Sequence, residues 1–259
     1  AMIGYTLAPA FQGRGLATEA VAGVLDWLFT GGPGHPSVHR VSATLDPANS
    51  ASARVLEACG FEYEGTARSA ALVRGGWEDD ARFGLTADGW DSWKERPTEP
   101  PAAVALTELT NADVRRLLQI GPAFSQRALV APVGASFGDA LIPELVAGKP
   151  VRAWYRGVRA DGDLVGFVMV AEPHYGVPHP YLWRLVVDRR HQLRGIGRRA
   201  VLAVADERRA AGATHLLVSF VPDVPGNPQA FYERLGFVPT GKVEGGEVEA
   251  ILDLAHLAG

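Results

Sequence analysis

At 259 residues with 47% apolar side chains the chain can bury a sizeable core and suits two domains or one large one, while a formal charge of −4 removes the electrostatic reason to expect general nucleic-acid binding. A single cysteine, Cys59, excludes an internal disulfide framework and a cysteine-rich zinc site, and its setting in "EACGF" reads as a buried thiol at a helix end. No apolar run reaches the roughly 18 to 20 residues that span a bilayer, and the start, with Ala1 ahead of Met2, has none of the regions of a signal peptide, so the expectation is a soluble cytoplasmic protein without membrane or nucleic-acid partners.

In chain order, "IGYTL" reads as a strand, Leu16 to Phe29 as a helix, "HRVSATL" as a strand and Ser50 to Cys59 as a helix. Strands near Phe61 to Val73 and Ala81 to Leu85 follow. "KERPTEPPAA", residues 94–103, carries three prolines and no periodicity and reads as a linker between a first domain, 2–93, and a second, 104–259. The second opens with a strand from Val104 to Leu109, a helix capped by Thr110 and running to about Ile120, and a short helix over Pro143 to Ala147. Strands Val151 to Arg159 and Leu164 to Glu172 flank the hairpin signal "ADGD". A strand at Tyr181 to Val187, a helix at Arg198 to Ala211, a strand at His215 to Phe220, a helix at Pro228 to Leu235 and strands near Phe237 to Glu244 and Val248 to Leu254 complete the chain. The fold class is mixed α/β.

The two halves repeat. Gln12 and Gln192 stand 180 residues apart, Asn49 and Asn227 178, and Gly60 and Gly236 176, a drift small enough for duplicated folds with minor insertions. About eighty residues precede the glycine turn in the second copy and almost none in the first, so the first copy is a half-fold. In each, an apolar strand ends in Gln-x-x-Gly-x-Gly/Ala and enters a helix: "FQGRGLATEAV" and "HQLRGIGRRAV". Backbone N–H groups unblocked by side chains at the positive end of a helix make an anion cradle, formed by Gln12, Gly13, Arg14, Gly15 and Ala17 in one copy and Gln192, Arg194, Gly195, Ile196 and Gly197 in the other. Glycine alone in such a turn serves backbone geometry equally well. The spacing is neither that of a dinucleotide fingerprint nor that of a nucleoside-triphosphate loop. Downstream of each cradle come an asparagine, a short helix and Gly-Phe, "NSASARVLEACGF" and "NPQAFYERLGF".

These residues resemble the GNAT superfamily of acyl-coenzyme A dependent N-acetyltransferases, across residues 104–254 for the whole fold and across 2–90 for its C-terminal half only. "NSAS" and "CGFEYEG" look most like the branch acting on ribosomal-protein or other N-terminal amines, whereas "DGDLVGF", "LWRLVVD" and "FYERLGF" are more similar to small-amine and polyamine acetyltransferases. The resemblance implies acetyl-coenzyme A as cofactor, its pyrophosphate on the cradle, with Arg198 and Arg199 within reach of the phosphates. It further implies that the fourth strand splays from the fifth near Val187, whose N–H polarises the thioester carbonyl. Tyr232 takes the place of the phenol that protonates the departing sulfur, its plainer reading being a packed helix aromatic. Asn227, and Asn49 in the first copy, take the place of the residue that contacts the pantetheine arm or orders the site, and either also reads as an ordinary helix cap.

An alkylamine with a pKa near 10 needs a base or a water chain, for which Glu172 is the first candidate and Asp188 the second. His174 and His179 suit an acceptor rim, and Arg184 would repel a polycation if it points inward. In the first copy Leu56 occupies the position of Tyr232, and Ser52 is the substitute. The expectation is an N-acetyltransferase acting on a primary amine of a small molecule or peptide, with its chemistry in the second domain and no metal. The rival is a non-catalytic acyl-coenzyme A binding or scaffold protein. An uncovered edge at "MIGYTL" leads to the expectation that the second domain or another chain, as in a homodimer, covers it.

Overall fold

The computed structural model describes residues 1–256 and divides into two compact units, Ala1–Arg96 and the chain from Pro97 onward. In the first unit, helix α1 (Leu16–Thr30) and strand β1 (Arg40–Leu45) are followed by α2 (Ser50–Ala58), β2 (Glu62–Val73), β3 (Gly76–Thr86) and α3 (Ala87–Lys94). The three strands form an antiparallel sheet in the order β1-β3-β2. Strand β1 buries Val41, Ala43 and Leu45 by simple alternation, which is why this segment is legible as a half-buried strand. The Cys59 thiol, 1% exposed, is pushed up to about 11 by burial and is inert filling behind α1.

Helix α3 falls between the expected strand ending at Leu85 and the linker beginning at Lys94, where the sequence reading places no element. Thr86 caps it by accepting from the Gly89 N–H at 3.0 Å, and Trp90 and Trp93 anchor it, donating to Asp26 at 2.8 Å and to the Ala58 carbonyl at 2.9 Å. The expected strand "IGYTL" is reduced to a single parallel bridge between Met2 and Ser42.

The second unit contains β4 (Val104–Thr107), α4 (Val114–Gln119), α5 (Val133–Leu141), a two-residue pair β5 (Leu145–Val146) and β6 (Lys149–Pro150), then β7 (Ala153–Ala160), β8 (Asp163–Ala171) and β9 (Tyr181–Val187). It continues with α6 (Ile196–Ala210), β10 (His215–Phe220), α7 (Gln229–Arg234), β11 (Val238–Glu244) and β12 (Glu247–Asp253). Seven of these strands make one mixed sheet, β11-β12-β10-β9-β8-β7-β4, in which only the β9–β10 pair is parallel. Thr110 and Asp113 form a capping box ahead of α4. The helix expected over Pro143 to Ala147 is instead the β5–β6 hairpin, because Ala147 and Gly148 both take positive φ, 52° and 74°, the requirement of a two-residue primed turn.

Helix α6 lays Ile196, Ala200, Val201, Val204 and Ala205 onto the sheet, an i, i+4, i+5, i+8, i+9 stripe against Val168, Val170, Leu216 and Val218. Each larger aliphatic buried there contributes roughly 1.5 to 3 kcal/mol.

The last turn of α2 is held to α3 through Gly60, which has φ +83° and would bring a Cβ within 2.5 Å of the Trp93 ring. Gly60→Ala should therefore destabilise the first unit by about 1 to 3 kcal/mol through strain and overpacking, read as a lowered urea midpoint by tryptophan fluorescence.

Candidate functional site

The parallel strands β9 and β10 pair only at Tyr181 with Leu217 and Leu182 with Val218, and then diverge. A bulge in the pairing of β8 with β9, between Met169 and Val170, coincides with the start of the divergence. Between the separating strands lies a cavity of about 700 Å³, walled by Leu185, Val186 and Val187 on one side and by Val218, Ser219 and Phe220 on the other. The glycine turn closes one end, and Asn227, Phe231 and Tyr232 line it from the start of α7.

The turn is built to present backbone. After the 3-10 turn Arg189–His191, Gln192 bends back to donate to the Val187 carbonyl at 3.0 Å and to Gln126 at 2.8 Å. Leu193 and Gly195 both have positive φ, 63° and 76°, and an added Cβ at Gly195 would meet nothing within 4 Å. The first hydrogen bond of α6 runs from Arg199 N to the Gly195 carbonyl, so the N–H groups of Ile196, Gly197 and Arg198 have no partner within the helix. Gly197 brings backbone against Phe231 and Val187, where a Cβ would lie 3.6 and 4.0 Å away. Three orphan donors at the positive end of a fifteen-residue helix, open to a cavity, fit an anionic group such as a pyrophosphate.

Of the residues expected here, Val187, Gln192, Gly195, Ile196, Gly197, Arg198, Asn227 and Tyr232 all line this one cavity. Asn227 also organises its own turn, accepting from the Gln229 N–H at 3.0 Å and donating to the Val224 carbonyl at 3.0 Å, so the cap reading holds as well. Tyr232 is 8% exposed and packed against Phe220, Phe231 and Phe237. Its hydroxyl makes no hydrogen bond among the described residues. Burial first, and the neighbouring Tyr181 second, push the phenol well above the ordinary tyrosine range, so it carries its proton at any physiological pH. His191 also faces the cavity, and burial lowers its pKa, favouring the neutral ring.

Other expected residues have their side chains engaged elsewhere. The side chain of Arg194 turns away from the cavity, 7% exposed, donating to the Glu99 carbonyl at 2.7 Å and lying 3.0 Å from His191 Nδ1. Arg199 likewise donates to the carbonyls of Pro101 at 2.6 Å and Ala102 at 3.1 Å. Glu172 is not in the cavity. It lines a separate depression and is held by Arg208 at 2.6 Å, a residue that continues the buried stripe of α6 and stacks on Trp154 at 4.3 Å. Asp188, 4% exposed, is similarly engaged by Arg116 at 3.0 Å and by the Arg190 N–H. His174 borders two depressions, whereas the His179 ring lies 4.8 Å from that of His215, tilted by 47°. Ser219 and Glu247, brought there by strand register, and Gln126, from the 3-10 turn Phe124–Gln126, line the cavity without having been singled out from the sequence.

The first unit repeats the cradle closely. Gln12 donates to the Leu7 carbonyl at 3.0 Å, Gly13 and Gly15 have φ of 71° and 78°, and α1 begins directly after Gly15 as α6 does after Gly195. Met2 stands 180 residues before Leu182, the offset of the two cradles, and bridges in parallel to the strand ahead of α2 as Leu182 does to the strand ahead of α7, so the segment beginning at Met2 is the counterpart of β9. Gln12, Arg14 and Gly15 are exposed, and Ala17 partly so. Asn49 caps α2 by accepting from the Ser52 N–H at 3.0 Å, and Leu56, where Tyr232 stands in the second unit, is fully buried. The Ser52 hydroxyl is engaged by Tyr5 Oη at 3.0 Å.

Comparison with known proteins gives two family matches: residues 1–62 match the family described as acetyltransferase (GNAT) domain, and residues 125–237 the acetyltransferase (GNAT) family. Among curated relatives, the probable N-acetyltransferase YjcK of Bacillus subtilis is 44% identical over 79 residues, 30% of this chain and 41% of that protein. The [ribosomal protein uS5]-alanine N-acetyltransferase of Escherichia coli is 32% identical over 88 residues, 34% of this chain and 43% of its own length. The chain thus spans about two fifths of these relatives. A solved structure of RimJ from Mycobacterium smegmatis, in complex with CoA-disulfide, is 38% identical over 34% of this chain and 40% of that one, with a TM-score of 0.31.

The Arg208 side chain is 9% exposed and that of Glu172 34%, so removing the carboxylate strands a nearly buried cation. Glu172→Gln should cost about 1 to 3 kcal/mol after allowance for the exposure of Glu172, seen as a lower denaturant midpoint of the second unit.

Proposed function

We propose, from a chain that carries a GNAT acetyltransferase segment in each of its two units, that it is an acetyl-coenzyme A dependent N-acetyltransferase with its chemistry in the second unit, acting on a primary amine of a small molecule or peptide. The observation that carries this reading is the placement of an unpartnered, protonated phenol and an open helix N-terminus on one cavity between splayed strands.

The orphan N–H groups of Ile196, Gly197 and Arg198, with the Arg198 side chain, hold the pyrophosphate. Bound coenzyme supplies an acetyl thioester. The divergence of β9 from β10 leaves backbone of β9 near Val187 facing the cavity, where an N–H can stabilise charge that develops on a carbonyl oxygen. Tyr232 Oη donates a hydrogen bond and then its proton to the departing sulfur. Its raised pKa does not oppose this, because the desolvation that disfavours a phenolate also makes a buried thiolate more basic. Val130, Leu129 and Phe231 exclude water around the reacting atoms.

The first unit is read as a half-copy in a structural or regulatory role. Its cradle geometry is intact, yet Leu56 takes the place of the phenol and Ser52 is tied to Tyr5.

Calorimetric titration of acetyl-coenzyme A should give one site on the wild-type protein that Gly195→Glu removes, since the new carboxylate meets the phosphates and φ of +76° strains any side chain there. Binding that survives in this variant would move the site to the first unit. In an acceptor panel of aliphatic monoamines, diamines and peptides beginning with alanine, Tyr232→Phe should lower kcat about 10²-fold while leaving the coenzyme dissociation constant within twofold. The alanine peptides are included because one of the similar proteins is named for that acceptor.

A further inference from the structure

The coenzyme cavity does not end at β10. A second cavity of about 650 Å³ shares Leu182, Trp183, Ser219 and Glu247 with it and extends toward the β11–β12 hairpin and the segment between α4 and α5. Glu247 is the one carboxylate that lines both cavities. It is the first residue of β12, paired across the hairpin with Glu244, and its exposed side chain accepts a hydrogen bond from the Ser219 hydroxyl of β10.

The lining of the second cavity carries an excess of carboxylates, Glu144, Glu244, Glu247 and Glu249, around Lys242. Lys242 is paired with Glu244 at 2.9 Å and Glu249 at 3.7 Å, and Arg184, which lines the second cavity, with Asp139 at 3.2 Å. Among the described residues Glu247 has no cationic partner. The Tyr181 phenol stands beside Ser219 and within the influence of Glu247, Glu249 and Lys242, and Arg234 lines the coenzyme cavity. An uncompensated carboxylate with its second oxygen open, at the place where one cavity runs into the other, is a receptor for a cation that must reach the thioester.

We propose that Glu247, oriented by Ser219, binds the ammonium group of the acceptor and takes its proton. This rests on the reading of the second unit as an N-acetyltransferase. The ammonium gives one proton to the Glu247 carboxylate, which, being exposed, passes it to solvent. The free amine forms the N–C bond as the C–S bond breaks, and its second proton balances the one that Tyr232 gives to sulfur. In total an ammonium and a thioester yield an amide, a thiol and one released proton. Binding precedes chemistry here, so charge on the acceptor is recognised as well as removed.

The test uses the full chain and, as probe, the panel amine with the highest kcat/KM. Glu247→Gln should leave acetyl-coenzyme A binding within twofold, weaken calorimetric binding of the probe to the coenzyme A complex at least tenfold, and lower kcat/KM at pH 7 about 10²-fold. The variant depends on the small fraction of neutral amine, so its kcat/KM should climb about tenfold per pH unit from 6.5 to 9, against a flatter wild-type profile. Glu247→Asp should recover part of both losses, and Ser219→Ala should show a weaker form of them. A Glu247→Gln variant with probe affinity, rate and pH slope within threefold of wild type overturns the inference and leaves the acetyltransferase reading intact. A wild-type protein that neither binds acetyl-coenzyme A nor acetylates any panel amine overturns the reading, and the inference with it. Loss of coenzyme binding in both Glu247→Gln and Glu247→Asp would assign the residue to the fold and overturns the inference alone.

Discussion

Two pairs of residues hold β9 to β10, and the candidate site of the second unit follows from the pairing stopping there. Parallel strands that stay in register leave no room between them. By separating after Leu182 and Val218 they open a cleft through the middle of a seven-stranded sheet while each keeps its outer antiparallel partner, β8 on one side and β12 on the other. The cost of the broken ladder falls on polar groups that are then aimed into the cleft. On its other side β9 lies close against β8: a Cβ at Gly166 would lie 2.6 Å from the Val186 carbonyl, so the absence of a side chain there permits this approach where β9 leaves β10.

The same break occurs in the first unit at the Met2–Ser42 bridge, but with no counterpart of β8 to support the diverging strand. What survives there is the part that backbone alone specifies, namely the returning glutamine, two glycines of positive φ and a helix beginning directly after them. What differs is the part that needs a side chain in the cleft. The Tyr5 phenol points from the diverging segment to Ser52, both donating to its backbone carbonyl at 3.0 Å and accepting from its hydroxyl. Each unit therefore places a phenol beside the corresponding short helix, but from different chain positions.

Much of this was legible in the sequence because it is periodic or because glycine marks it. Tyr181 to Val187 and His215 to Phe220 have the expected ends, since apolar runs bounded by turn residues define strands without reference to the rest of the fold. Helix α3 was not, because two tryptophans three residues apart carry no period until Asp26 and Ala58 are placed beneath them. Side-chain direction was legible least. Arg194 sits inside the motif yet points backwards, because the left-handed turn at Leu193 and Gly195 rotates it out of the cavity. Glu172 has a plausible position at the end of β8, and only the α6 stripe, with Arg208 facing it, commits that carboxylate to packing. Glu247 had no signal at all, since a glutamate in a charged hairpin is ordinary until the register with Ser219 is known.

The proline-rich stretch ahead of β4 reads as a tether, yet Arg194 and Arg199 bind the carbonyls of Glu99, Pro101 and Ala102. Three backbone acceptors thus lie along the rear of the cradle, and the guanidinium groups that hold them spring from the turn and first coil of α6. Anyone cutting the gene to isolate the second unit would be tempted to start at Val104. That cut would strip two cations of their acceptors immediately behind the anion cradle, freeing them to swing, so a fragment meant for ligand studies should begin no later than Pro97.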